Sequence, residues 1–226
     1  MTSSGSDSPS PGQVNLAGIV LAAGRSSRFG SDKRLAPHSA NDTLLTQSIA
    51  VIEPACARVF VVTRVDDRDR GRELLGRWWG RDKVEQLCAS DAEQGMGSSL
   101  ANAISDVLAF EQAHRLQFDG VLLMLADMPY IDPITITKVV AAHSLDNIVL
   151  PCYQCETGKR WGHPVLFGRS WFNALQALHG DRGGRSIIQA HASARVEIAV
   201  NDPGILRDVD KPEDIGTPGD TGTKKR

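Results

Sequence analysis

The sequence predicts an α/β protein built on an open, mostly parallel sheet. Three observations carry that expectation. Short apolar, β-branched runs recur between helical patterns, the signature of βαβ units. The first run, residues 17–22, is continuous and apolar, the kind of strand buried on both faces of a parallel sheet. It then breaks into "AGRSSRFGSDKR", a loop at a strand's carboxyl end, where open α/β sheets bind ligands.

Taken in order, strands are expected at 18–22, 58–63, 84–88, 120–125, 147–153, 163–167 and 195–200. Helices are expected near 43–53, 69–79, 98–112, 133–143, 170–178 and 184–192. Ser98 or Ser99 is placed to cap the third helix, Asp132 the fourth and Asp181 the last. Residues 156–162, "ETGKRWG", are expected to link the two strands of an excursion from the sheet.

A chain of 226 residues suffices for one sizeable domain, expected at 16–215. The Pro/Ser-rich start, 1–15, and the polar end, 216–226, are expected to be disordered tails. The net charge of −2, with signs interspersed, gives no field for nucleic acid or an anionic membrane, so the partner is expected to be a small molecule. The apolar run 16–23 is too short to span a bilayer and lacks a basic region before it, which predicts a cytoplasmic protein. Cys152 and Cys155 form a C-x-x-C pair with no second Cys/His pair, so ordinary thiols are expected rather than a zinc or redox site.

Four stretches carry chemistry. The opening loop fits neither a Walker loop nor a dinucleotide fingerprint, because its glycine spacing is wrong for both. What remains is Gly24 at a strand end, where backbone amides can approach an anion, followed by Arg25, Arg28, Lys33 and Arg34, a set suited to a polyphosphate. Gly95 and Gly97 precede a helix whose free amides can meet an anion or a base edge. Asp127 ends an apolar strand, where Mg2+ is held opposite a phosphate loop. Gly183 and Gly184, between Arg182 and Arg185, can form a concave surface for a second anion.

Together these stretches resemble the molybdenum cofactor nucleotidyltransferases, most closely the cytidylyltransferases, over roughly residues 16–215. The opening Leu-Ala-Ala-Gly-x-Ser-x-Arg-x-Gly pattern, followed by Lys, is matched by Leu21, Ala22, Ala23, Gly24, Ser26, Arg28, Gly30 and Lys33. Gly95-Met96-Gly97-Ser98-Ser99-Leu100, Asp127-Met128-Pro129, Gly162-His163-Pro164 and the Gly-Asp-x-Gly-x-Arg counterpart at 180–185 follow in order. The closing acidic motif is matched at 208–214, with Lys211 where the family has Thr.

The resemblance implies a Rossmann-like three-layer nucleotidyltransferase fold. It implies transfer of CMP from CTP to the terminal phosphate of molybdenum-loaded molybdopterin, with release of pyrophosphate and Mg2+ as cofactor. Leu21, Ala22, Ala23, Gly24, Arg25, Ser26, Arg28, Lys33, Gly95, Gly97, Ser99 and Asp127 would then bind the nucleotide, with Arg28, Lys33 and Asp127 catalytic. His163, Arg182, Gly183, Gly184 and Arg185 would bind the pterin, and Asp127, Asp208 and Asp210 the metal. A recipient molybdoenzyme or its chaperone is a further partner the resemblance allows. Two alternatives stand beside it: a guanylyltransferase on the same cofactor, whose family shows Leu-Ala-Gly-Gly where Ala23 stands, and a cofactor carrier with little catalysis.

Overall fold

The structure, a computed structural model, describes residues 14–25, 29–156 and 158–216. Eight strands form one sheet: β1 (Leu16–Leu21), β2 (Arg58–Arg64), β3 (Val84–Ala89), β4 (Gly120–Leu125), β5 (Ile148–Cys155), β6 (Gly158–Trp161), β7 (Val165–Gly168) and β8 (Arg195–Ala199). The order runs β3-β2-β1-β4-β7-β5-β6, with β8 paired to β5. The first four strands pair in parallel, as do β5 and β8, whereas β7 runs antiparallel to both β4 and β5. The chain therefore leaves β1 toward β2 on one side and places β4 on the other. That is a topological switch point, where α/β sheets open a crevice.

Helices cover both faces: α1 (Leu44–Ile52), α2 (Gly71–Leu75) and α4 (Pro133–Ala141) on one, and α3 (Met96–His114), α5 (Phe172–Gln176) and α6 (Arg185–Ala190) on the other. The two-residue period of the strands divides the core. Leu16 and Val20 of β1, with Leu122 and Met124 of β4, pack with Leu45, Ile49 and Ile52 of α1 and Ile136 of α4. The alternate residues Ala17, Ile19, Val121 and Leu123 pack with Leu100, Ile104 and Val107 of α3 and Ile187 of α6. Asp132 caps α4 by accepting from the Ile134 amide, as the sequence predicts, and Thr43 caps α1 through a capping box with Thr46.

Several elements differ from expectation. The 69–79 helix shrinks to α2, flanked by 3-10 turns at Val65–Arg70 and Gly76–Trp78, because Gly76 adopts φ +50° and ends the α-helical path. The 156–162 link contains a strand: β6 pairs antiparallel with the end of β5, Trp161 opposite Cys152. Its outer three residues are exposed, so Lys159-Arg160-Trp161 shows no apolar alternation that would reveal it. Neither Ser98 nor Ser99 caps α3, and Asp181 does not cap α6; Gly95 and Gly184 occupy those positions without side-chain caps. The four cysteines are free thiols. No helix of the described residues is long and apolar enough to cross a membrane.

Candidate active site

The crevice at the switch point is fixed from beneath by hydrogen bonds. Ala126 N–H donates to Leu21 O at 3.0 Å and Ala22 N–H to Val62 O at 2.8 Å, so the ends of β1, β2 and β4 stay in register past the sheet. Ser48 of α1 donates its hydroxyl to Ala126 O at 3.0 Å. The Arg34 guanidinium donates to Ala22 O at 3.0 Å and is itself buried, held by Asp32 and Asp67. Arg34 thus braces the opening loop from behind. The Arg34 guanidinium and the nearby Arg64 hold the buried Asp67 carboxyl down at about 2, against the opposing effect of burial.

Above this frame lies a cavity of about 450 Å3, lined by Leu21, Ala22, Ala23, Gly24, Arg25 and Lys33 on one wall and by Gly95, Met96, Ser99 and Asp127 on others. Arg25 pairs with Glu93 across it. Ser26 and Arg28 lie outside the described residues. Lys33 and Asp127, distant in sequence, meet here: Lys33 Nζ is 2.5 Å from Asp127 Oδ2, 3.2 Å from Val209 O and 3.7 Å from Asp210 Oδ1. Asp208 is exposed. The closing segment is tied to the strand end by Val209 N–H donating to Asp127 O at 2.9 Å.

Asp127 Oδ1 is buried and has no hydrogen-bond partner. Among the described residues no group of three or more His, Cys, Asp or Glu is gathered to hold a metal. An unpartnered carboxylate oxygen beside a second carboxylate nevertheless fits Mg2+, which takes one or two protein carboxylates and completes its shell with water and substrate phosphates.

Gly97 does not line the cavity; it brings two loops together. The Gly97 and Ser98 amides donate to Gly180 O at 2.7 and 3.4 Å, and Gly180 N–H donates to Ser98 Oγ at 3.1 Å. The amides expected to meet a ligand are therefore spent on the 180–185 loop. A Cβ on Gly97 would lie 2.7 Å from Gly180 O, and one on Gly95, at φ +116°, would lie 2.1 Å from Asp181 Oδ1.

That loop walls a second cavity of about 590 Å3, which holds all five residues expected for the second substrate: His163, Arg182, Gly183, Gly184 and Arg185. Leu21, Met96, Leu125 and Asp181 line both cavities and form the seam between them. Arg160, Arg182 and Arg185 are exposed on its wall and carry no ion pair among the described residues, whereas Lys159 pairs with Glu197. Trp161, 41% exposed, lies under the Arg195 guanidinium at 4.7 Å. His163 Nδ1 stands 3.3 Å from Leu123 O, which can only accept, so Nδ1 carries a proton. Burial pushes the His163 pKa down, against the pull of Asp127 and Asp208. Arg160 and Asp181 escaped the sequence reading, the first because its strand went unseen, the second because it looked like a helix cap.

A mostly parallel sheet with a switch-point crevice between β1 and β4, a glycine-and-cation loop on one wall and an aspartate on the other, is the architecture of a nucleotidyltransferase fold. Residues 18–196 match the MobA-like NTP transferase domain, and the chain belongs to that family. It is 25% identical to the purine catabolism protein PucB of Bacillus subtilis, over 88% of this chain and 93% of that protein. It is 26% identical to a probable molybdenum cofactor guanylyltransferase of Rhodopirellula baltica, over 91% and 92% respectively. Among solved structures, Rv0371c of Mycobacterium tuberculosis superposes with a TM-score of 0.69 at 26% identity, covering 89% of this chain and 96% of that one. A further structure of Rv0371c is described as a complex with manganese; there the TM-score is 0.66 at 25% identity, over 89% and 96%.

Proposed function

We propose that this chain is a cytoplasmic enzyme that transfers CMP from CTP to the terminal phosphate of molybdenum-loaded molybdopterin. The observation that carries the reading is the meeting of Lys33 with Asp127 in one cavity, beside a second cavity whose arginines carry no ion pair among the described residues, across a shared seam. A phosphate monoester oxygen of the pterin attacks the α-phosphorus of CTP in line. The new P–O bond forms as the bond from the α-phosphorus to the bridging oxygen breaks, and pyrophosphate leaves with that electron pair. The monoester is already ionised near neutral pH, so no general base is needed and the protein's task is positioning and charge neutralisation.

Arg28 and Lys33 hold the triphosphate, and residues 21–26 with Gly95 and Ser99 enclose the nucleotide. Arg182, Arg185 and the Gly183-Gly184 backbone take the pterin phosphate, with His163 beside it. Asp127, with Asp208 or Asp210, would hold Mg2+, which when bound neutralises charge on the phosphate oxygens. The Ala23 methyl narrows the cavity beside the base and favours a pyrimidine. Guanylyl transfer to the same cofactor is the second reading, favoured by the relative from Rhodopirellula baltica. The product passes to a recipient molybdoenzyme or its chaperone.

The test is to mix the protein, Mg2+ and molybdenum-loaded pterin with CTP or GTP, follow pyrophosphate and identify the product by mass. Pyrophosphate release with CTP and the cytidine dinucleotide as product are expected. Turnover with GTP alone selects the second reading, and release with neither removes both.

A further inference from the structure

Three oxygen donors converge on the Lys33 ammonium: Asp127 Oδ2 at 2.5 Å, the Val209 carbonyl at 3.2 Å and Asp210 Oδ1 at 3.7 Å. They come from the end of β4 and from the closing segment, which the Val209 N–H bond fastens to Asp127 O. Two carboxylates and a carbonyl are hard donors of the kind a divalent cation takes. Here an alkylammonium takes them, and it satisfies only one oxygen of Asp127, since Oδ1 is buried without a partner. The side chains of Lys33 and Asp127 are 17% and 16% exposed. In so enclosed a place an ammonium and a divalent ion cannot share the same carboxylate without strong repulsion.

We propose that Lys33 is a surrogate cation: it holds Asp127 and Asp210 together while no metal is bound, and a divalent ion enters only by displacing the ammonium. The displaced ammonium then turns to the triphosphate; that destination rests on the nucleotidyl-transfer reading, whereas the competition itself does not. Metal alone binds weakly, because its entry leaves Lys33 without a counter-anion. Metal binds tightly with nucleotide, because the phosphates receive the ammonium. By linkage, nucleotide strengthens metal binding by the same factor as metal strengthens nucleotide binding.

The test is Mn2+ titration of the full chain without nucleotide, read from the paramagnetic signal of free Mn2+. Lys33→Met is expected to bind Mn2+ about tenfold more tightly than the natural chain, and Asp127→Asn to lose that binding in either background. CTP is expected to tighten Mn2+ binding in the natural chain by about fivefold or more, and much less in Lys33→Met. Mn2+ affinity in Lys33→Met equal to or weaker than that of the natural chain, at unchanged Tm, overturns the proposal. A second measurement needs no variant. Reductive methylation followed by peptide mass spectrometry is expected to show Lys33 reacting slowly without metal and faster at saturating Mn2+; a rate indifferent to Mn2+ overturns the proposal. Absence of nucleotidyl transfer removes the reaction proposed above and leaves the Mn2+ competition standing.

Discussion

At the scale of single residues, neighbouring cations in one loop have different duties. Lys33 points into the cavity, while the adjacent Arg34 is buried behind it between Asp32 and Asp67. The sequence motifs singled out Lys33 and Asp127, and the structure brings the two side chains together. The sequence set Arg34 among the cations for a polyphosphate; the structure buries it instead, against Asp67, a partner 33 residues away that no local pattern signals. Lys33→Ala and Arg28→Ala are each expected to cost about 2–4 kcal/mol of transition-state stabilisation, measured as kcat/KM. Asp127→Asn is expected to abolish turnover with Tm retained, and CTP binding by calorimetry should fall less than kcat. Arg34→Met is expected instead to destabilise the fold by about 3 kcal/mol, since it leaves the buried Asp67 carboxylate short of a partner; urea unfolding measures this. The Asp67 carboxyl is lowered from 3.8 to about 2, so its contribution to stability is complete above about pH 4 and is lost as pH falls toward 2. Unfolding midpoints across that range are expected to drop less in Arg34→Met than in the natural chain.

At the scale of elements, the parallel half of the sheet was legible because β1, β2 and β4 are buried on both faces and read as unbroken apolar runs. What escaped was whatever water or a neighbouring loop decides. β6 is an exposed edge without alternation, and the start of α3 is capped by the carbonyl of Gly180, a partner 82 residues from Ser98 that no local pattern announces. Of the Gly95 and Gly97 motif, Gly95 lines the first cavity, whereas Gly97 admits a backbone rather than the ligand expected there. Gly97→Ala is expected to destabilise the protein by about 1–3 kcal/mol by thrusting a methyl against Gly180 O, and to raise KM for the second substrate as the 180–185 loop moves. Thermal unfolding and steady-state kinetics together check it.

At the scale of the whole molecule, two cavities open at one end of one sheet. The arrangement predicts a clean division of labour: Arg185→Ala is expected to raise KM for the pterin substrate severalfold and leave that for the nucleotide nearly unchanged, with each substrate varied in turn. An effect confined to the nucleotide places residues 180–185 in the first cavity instead. The placement of the second cavity beside the first follows from the direction of β7. Because β7 runs against β4, Val165 pairs with Leu123 and His163 arrives beside the strand end that delivers Asp127. Had β7 run parallel, its entry would lie at the far end of the sheet. Reversal of this one strand lets largely different stretches of chain furnish the two mouths, 21–25 with Lys33 for one and 159–163 with 182–185 for the other, apart from the shared seam. On the proposed reading such a scaffold diverges piecemeal: a descendant changes what receives the nucleotide by rewriting one mouth, with its choice of nucleotide inherited intact in the other.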